Sequence, residues 1–292
     1  MNEALWLKQA RRSALWTFGL ASLFTIALGA VAMAQGAVSL GVWIRNPVAW
    51  LVAGVVAILL ARREWLGGWA APVALAIVAL TFLGPGQEGV HRWLDLGPVQ
   101  LNGAALVLPL AIVTFERAHP TIAAISFLLI AALLAWQPDI SQLAGFAIAA
   151  IVLSLVRFGW LGFGISIAVA AAAIAVCLSR PDPLEPVAHV EGIFALAWSQ
   201  SPAIAIAMGI SLAGAALTPL MIWSAHPLGV ITPFALSAYL VATGLAPFFG
   251  AYPVPLAGYG LSFVAGWWLG LAALCVRPDT DSSPHRAAAA KS

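Results

Sequence analysis

The chain has 292 residues, 62% of them hydrophobic and only 8% charged, far below the roughly 25% of charged residues in an ordinary soluble domain. Its formal charge of +2 is nearly balanced, which gives no case for nucleic acid as a partner. The composition is that of an integral membrane protein. Apolar runs of roughly 15–22 residues recur along its length, close to what ~30 Å of hydrocarbon requires of a helix, and they are too long and too poorly alternating for barrel strands.

In chain order the runs predict helices near 14–34, 47–61, 69–84, 103–115, 120–136, 140–156, 159–178, 202–223, 228–248 and 258–276. The first follows Lys8, Arg11 and Arg12 and ends in Ala32-Met33-Ala34, which loosely resembles a signal-peptidase site. Its apolar part is long for a signal peptide, so it is read as an uncleaved anchor. An even number of spans puts both termini on one side, and the cations choose that side. With the N-terminus inside, Lys8, Arg11, Arg12, Arg62, Arg63, Arg117, Arg157, Arg277, Arg286 and Lys291 are cytoplasmic, while only Arg45, Arg92 and Arg180 are outside. The expected fold class is therefore all-α, a polytopic bundle with about ten transmembrane helices and both termini cytoplasmic. Residues 1–276 form a single transmembrane domain and 277–292 a polar, disordered cytoplasmic tail. Cys177 and Cys275 fall at opposite ends of this bundle and cannot pair.

The segments that break the apolar pattern fall on the outer face. Gly84 to Ala104 carries turn-forming glycines and prolines around a short amphipathic piece, Val90 to Leu96, suited to the membrane interface, in which His91 and Arg92 are candidates for holding a phosphate or pyrophosphate. Trp136-Gln137-Pro138-Asp139 is a turn whose aspartate reads as the N-cap of the next helix. Arg180 to Ser201 is the longest interruption: its prolines prevent helix up to about Val187, after which His189 to Ser199 can be helical, with Glu191 off the apolar side. Pro247 to Phe263 is a tight re-entrant turn in which Pro253 and Pro255 end one helix and Gly258 and Gly260 allow close packing before the next.

Four of these segments, in this order, resemble the SEDS family (shape, elongation, division and sporulation), the FtsW/RodA/SpoVE polymerases of the bacterial cell wall. Gly89-Val90-His91-Arg92-Trp93-Leu94-Asp95-Leu96-Gly97 is similar to the family's G-A-x-R-W-I-x-L-G, and Gln137-Pro138-Asp139 to the start of Q-P-D-L-G-T. His189-Val190-Glu191-Gly192-Ile193-Phe194-Ala195 resembles H-T-D-F-I-F-A, and Pro255-Leu256-Ala257-Gly258-Tyr259-Gly260-Leu261-Ser262 resembles L-P-F-x-S-Y-G-G-S. There are departures. Where the family continues with Q-P-S-E and then a lysine, this chain has Asn102-Gly103-Ala104-Ala105 and Leu108, and the acid of H-T-D-F is Glu191, one methylene longer.

The resemblance implies a SEDS-like bundle in the bacterial inner membrane with its site on the periplasmic face. The implied activity is that of an inverting peptidoglycan glycosyltransferase polymerising lipid II, an undecaprenyl-linked precursor, or of a degenerate relative that binds lipid II or a partner, in cell division or cell-shape control. It implies Glu191 as the catalytic base, and substrate contacts from Arg92, His91, Asp139, His189, Tyr259 and Ser262. A class B penicillin-binding protein is the implied partner, alongside membrane lipids. Few cations face a departing diphosphate, so a divalent cation, Mg or Mn, held by Glu191, Asp139 or Asp95 would compensate, and activity indifferent to a chelator would count against it. A small transporter or lipid-handling protein, with the outer acids and His189 forming a cation or proton path, is the alternative. The charges lie almost all at span ends rather than at mid-membrane, which favours the first reading.

Overall fold

The computed structural model describes residues 3–61, 68–180, 182–222 and 227–275. The expected tail, 277–292, lies outside the described residues, as do Arg62 and Arg63. The helices are α1 (Glu3–Gln35), α2 (Leu40–Trp43), α3 (Arg45–Ala61), α4 (Ala70–Leu80), α5 (Gly103–Thr114), α6 (Pro120–Trp136), α7 (Ile140–Leu178), α8 (Ile193–Gln200), α9 (Pro202–Leu217), α10 (Pro227–Leu245) and α11 (Leu261–Cys275). Five helical stretches are long and apolar enough to cross a membrane, and shorter apolar helices fill the bundle between them. Large apolar side chains such as Leu20, Leu51, Val55, Ile125 and Ile210 stay exposed on the outside, the arrangement expected of a helix bundle solvated by lipid.

α7 is a hairpin. Its backbone departs from helical angles at Gly159, with φ 65° and ψ −162°, a region open essentially to glycine. The Ser166 hydroxyl donates to the Ser154 hydroxyl at 2.7 Å, whereas a straight helix would hold residues twelve apart about 18 Å from one another. The two arms, 140–158 and 160–178, match the two spans read from the sequence. Counting them separately, and setting aside the short α2 and α8, ten helical segments alternate in direction among the described residues.

Packing between segments uses small residues and hydroxyls, as expected where lipid supplies no hydrophobic drive between helices. A Cβ on Gly266 would lie 2.0 Å from the Ala105 carbonyl, so α11 and α5 pack backbone to backbone. Thr25 donates to Ser211 at 2.8 Å, tying α1 to α9, and Trp50 Nε1 donates to Ser22 at 2.9 Å, tying α3 to α1. The Tyr239 hydroxyl donates to Gln142 Oε1, tying α10 to α7 in the buried centre.

The end of the bundle remote from the site carries Arg157, which donates to the Glu116 and Ala118 carbonyls, and Gly68, whose Cβ would touch the Arg117 carbonyl. The other end holds all four segments singled out in the sequence. Two of them differ from the sequence expectation. Residues 93–102 form an antiparallel hairpin, β1 (Trp93–Asp95) with β2 (Gln100–Asn102), rather than an amphipathic interfacial piece. The cause is turn chemistry: Gly97, at φ 81°, donates its N–H to Asp95 Oδ1 and reverses the chain, while Glu88 and Gly89, both at positive φ, close a tight turn bridged by Gln87 and Val90. The helix expected from His189 begins instead at Ile193, because the N–H groups of Val190, Glu191 and Gly192 all turn back onto the Val187 carbonyl.

Candidate functional site

Arg92 enters β1 with its backbone carbonyl accepting from Gly103 N–H, so the hairpin aims its side chain into the bundle. There it is buried, 7% exposed, with Nε donating to the Gln137 carbonyl at 3.2 Å and Nη2 to the Pro138 carbonyl at 2.6 Å. Nη2 also lies 2.7 Å from Asp182 Oδ2, and Nε 4.0 Å from Asp139 Oδ2. One guanidinium thus joins the hairpin, the 137–139 turn and the start of the loop that carries Glu191. Asp139 is the N-cap of α7 that the sequence indicated: Oδ1 accepts from Gln142 N–H and Ser141 Oγ, and Oδ2 from Asn102 Nδ2. Asn102 in turn caps α5 by accepting from Ala105 N–H at 2.8 Å. Where the family pattern has a lysine, Leu108 is wholly buried, so the bundle interior is apolar there.

The loop carrying Glu191 is laced to the loop before α11. Tyr259 N–H donates to the His189 carbonyl at 2.9 Å and Val254 N–H to the Val190 carbonyl at 3.3 Å. Gly258 permits this approach, since a Cβ there would stand 2.4 Å from the Val190 carbonyl. Leu256 holds a left-handed φ of 64°, strained for a branched side chain, and its carbonyl and that of Gly258 accept from Asn46 Nδ2, while Asn46 Oδ1 accepts from Gly260 N–H. Beside Asn46, Arg45 Nη1 donates to the Tyr259 hydroxyl at 3.0 Å. Glu191 Oε2 accepts from Val187 N–H at 2.8 Å.

These loops enclose a cavity of about 550 Å³. That volume is within the usual range for small-molecule sites. Of the residues proposed from sequence, Glu191, Arg92, Asp139, Tyr259 and Ser262 line it. His91 and His189 do not: the His91 ring stacks on Phe82 with centroids 5.8 Å apart, and the His189 ring lies 6.4 Å from that of Tyr259. Arg92 faces the cavity as an ion-paired strut rather than as an open cation, because its Nε and Nη2 donors already meet two carbonyls and a carboxylate. Sequence reasoning passed over Arg45, Asn102, Asp182 and Tyr252, which also line the cavity. Burial raises the Tyr252 phenol above its ordinary pKa, so its hydroxyl stays a neutral donor there.

The lining carries the carboxylates of Glu88, Asp139, Asp182, Glu185 and Glu191 against the guanidiniums of Arg45 and Arg92. Among the described residues no three of His, Cys, Asp and Glu gather as metal ligands. The counter-charge between Asp139 and Asp182 is Arg92, and Asp95, bonded to Gly97 N–H, is not among the lining residues.

No family model matches the sequence, and no curated protein shows significant similarity to it. Solved structures do resemble the chain. The Thermus thermophilus rod shape determining protein RodA is 19% identical, with a TM-score of 0.59 over 89% of this chain and 95% of that one. A point mutant of the same RodA aligns equally well, at 20% identity and TM-score 0.59. A chain from a peptidoglycan synthase complex, described for its coordination of polymerization and crosslinking, is 20% identical with a TM-score of 0.60 over 89% of this chain and 96% of that one. The chain therefore has the fold of the SEDS protein RodA, a multi-pass all-α membrane architecture.

Proposed function

We propose that this chain is a divergent SEDS-type protein of cell-wall assembly, which takes a lipid-linked sugar diphosphate into the cavity and transfers the glycosyl group to an acceptor hydroxyl. One observation carries this reading: the four segments that resemble SEDS motifs, scattered from Gly89 to Ser262, close around a single cavity in which Glu191 is a wall residue. In a RodA-like fold that convergence supports lipid II polymerisation, and the cation distribution favours a cavity on the periplasmic face of the inner membrane. A class B penicillin-binding protein fits as partner, since one similar chain comes from a complex that couples polymerization to crosslinking.

Glu191 is the general base. Oε2 is anchored by Val187 N–H and Oε1 makes no hydrogen bond among the described residues, leaving a lone pair for the acceptor hydroxyl proton as that oxygen attacks the anomeric carbon and the diphosphate departs from the opposite face. The 187–192 turn fixes the Glu191 backbone through the N–H groups of Val190, Glu191 and Gly192, all bonded to the Val187 carbonyl. Arg92 keeps this loop in register through Asp182, and the Tyr259 N–H to His189 bond does so from the other side.

Binding without transfer is the second reading. It is favoured by Arg92, whose charge is already paired with Asp182, and by Leu108, which leaves the bundle interior without the family's lysine. Purified protein given labelled lipid II separates the two. Polymer from wild type and none from Glu191→Ala supports transfer, whereas lipid II bound equally by both proteins with polymer from neither supports a binding relative.

A further inference from the structure

Three arginines stand at the cavity end of the bundle, and they are not equivalent. Arg92 is buried and ion-paired with Asp182. The Arg180 guanidinium lies 4.0 Å above the Trp136 ring and is not part of the cavity wall. Arg45 is exposed and on the wall, and among the described residues no carboxylate is within ion-pair distance of it. Its one hydrogen bond runs from Nη1 to the Tyr259 hydroxyl, so most of the five N–H donors of the fork remain unused.

The pair is held rigidly from below. Asn46, 1% exposed, bonds the carbonyl before Tyr259 and the N–H after it, and the Tyr259 N–H is fixed to the His189 carbonyl. The tyrosine hydroxyl accepts from Arg45 and keeps its own proton to donate. A planar fork with free donors beside a hydroxyl donor, positioned before any ligand arrives, suits the oxygens of a phosphate or diphosphate. The cavity's other charges are carboxylates apart from the ion-paired Arg92, so an anion entering it is drawn to this corner.

We infer that Arg45, presented by Tyr259 and Asn46, is the anion seat of the cavity and receives the diphosphate of the substrate, while Arg92 is a strut. This deepens the reading proposed above and rests on it. The Tyr259 N–H is bonded to the His189 carbonyl and the Val254 N–H to the Val190 carbonyl, so the seat and Glu191 share one wall, which suits a base and a leaving group acting on one sugar ring.

The test is calorimetric titration of the full chain, in phosphatidylcholine nanodiscs, with inorganic pyrophosphate and with farnesyl diphosphate. Arg45→Gln is expected to weaken binding at least about tenfold, Tyr259→Phe severalfold, and Arg45→Lys to recover part of the loss, because lysine restores charge without the fork. Arg180→Gln, on the same face, is expected to bind within about twofold of wild type. Farnesyl diphosphate bound far more tightly than pyrophosphate identifies a lipid-linked anion, and equal affinities identify the diphosphate alone. Equal losses in Arg45→Gln and Arg180→Gln, or complete displacement by phosphatidylglycerol in the disc, overturn the seat. Wild-type polymer yield from Arg45→Gln would overturn the seat and leave Glu191 as base, whereas wild-type yield from Glu191→Ala with binding lost in Arg45→Gln would overturn the base and leave the seat.

Discussion

Arg92 couples the hairpin, the 137–139 turn and the 182–191 loop through one side chain. Cutting it to alanine strands Asp182 and Asp139 near one another and leaves two carbonyls without donors, a loss below the roughly 3–5 kcal/mol of a fully buried pair because solvent reaches Asp182. Thermal unfolding in detergent should therefore drop clearly for Arg92→Ala and less for Asp182→Asn, whose side chain is 27% exposed and whose amide keeps the shape. A variant Arg92→Ala as stable as wild type would show that the strut is dispensable. The sequence identified Arg92 as a basic residue of interest but not its partner, because Asp182 lies in a proline-rich loop with no periodicity to place it. Arg45 was legible only as one more outer cation; nothing local announces that it meets a tyrosine hydroxyl from the far end of the chain. The histidines mislead for the opposite reason: they occur inside the motifs, but the hairpin and the turn point them at Phe82 and toward Tyr259 instead of into the cavity.

Among the elements, the helices were readable from hydropathy because lipid permits only helices and closed barrels, and the apolar runs are too long and too poorly alternating for barrel strands. Even the division of α7 was readable, as the gap between the runs 140–156 and 159–178, next to the kink at Gly159. Alanine at that position must adopt φ 65°, ψ −162°, which costs on the order of 1–3 kcal/mol. Gly159→Ala should lower the unfolding temperature while leaving ligand affinity unchanged, since the turn is at the end of the bundle away from the cavity. Gly258→Ala should do the reverse of that pattern. A Cβ 2.4 Å from the Val190 carbonyl must push the Tyr259 loop off the Glu191 loop, so transfer or binding should fall several-fold with a smaller change in unfolding temperature. What the sequence could not give at this scale was the β1–β2 hairpin and the late start of α8, both decided by turn hydrogen bonds rather than by hydrophobic pattern.

For the molecule as a whole, the alternation of ten segments sends both described ends of the chain to the face opposite the cavity. The proposed orientation puts that face in the cytoplasm. Cys177 and Cys275 are buried, so cysteines introduced at exposed positions report sidedness against a quiet background once the native pair is replaced by alanine. Leu96→Cys, in the hairpin turn, should react with a membrane-impermeant maleimide in spheroplasts, and His119→Cys, before α6, should react only after lysis. The opposite labelling pattern would place the cavity inside and remove lipid II as its substrate. In the proposed function, orientation decides access to substrate and Glu191 the chemistry. The most direct measurement is polymerisation of labelled lipid II by the purified full chain and by its Glu191→Ala variant: polymer from the first and none from the second is the expected result, and equal polymer from both would contradict the account.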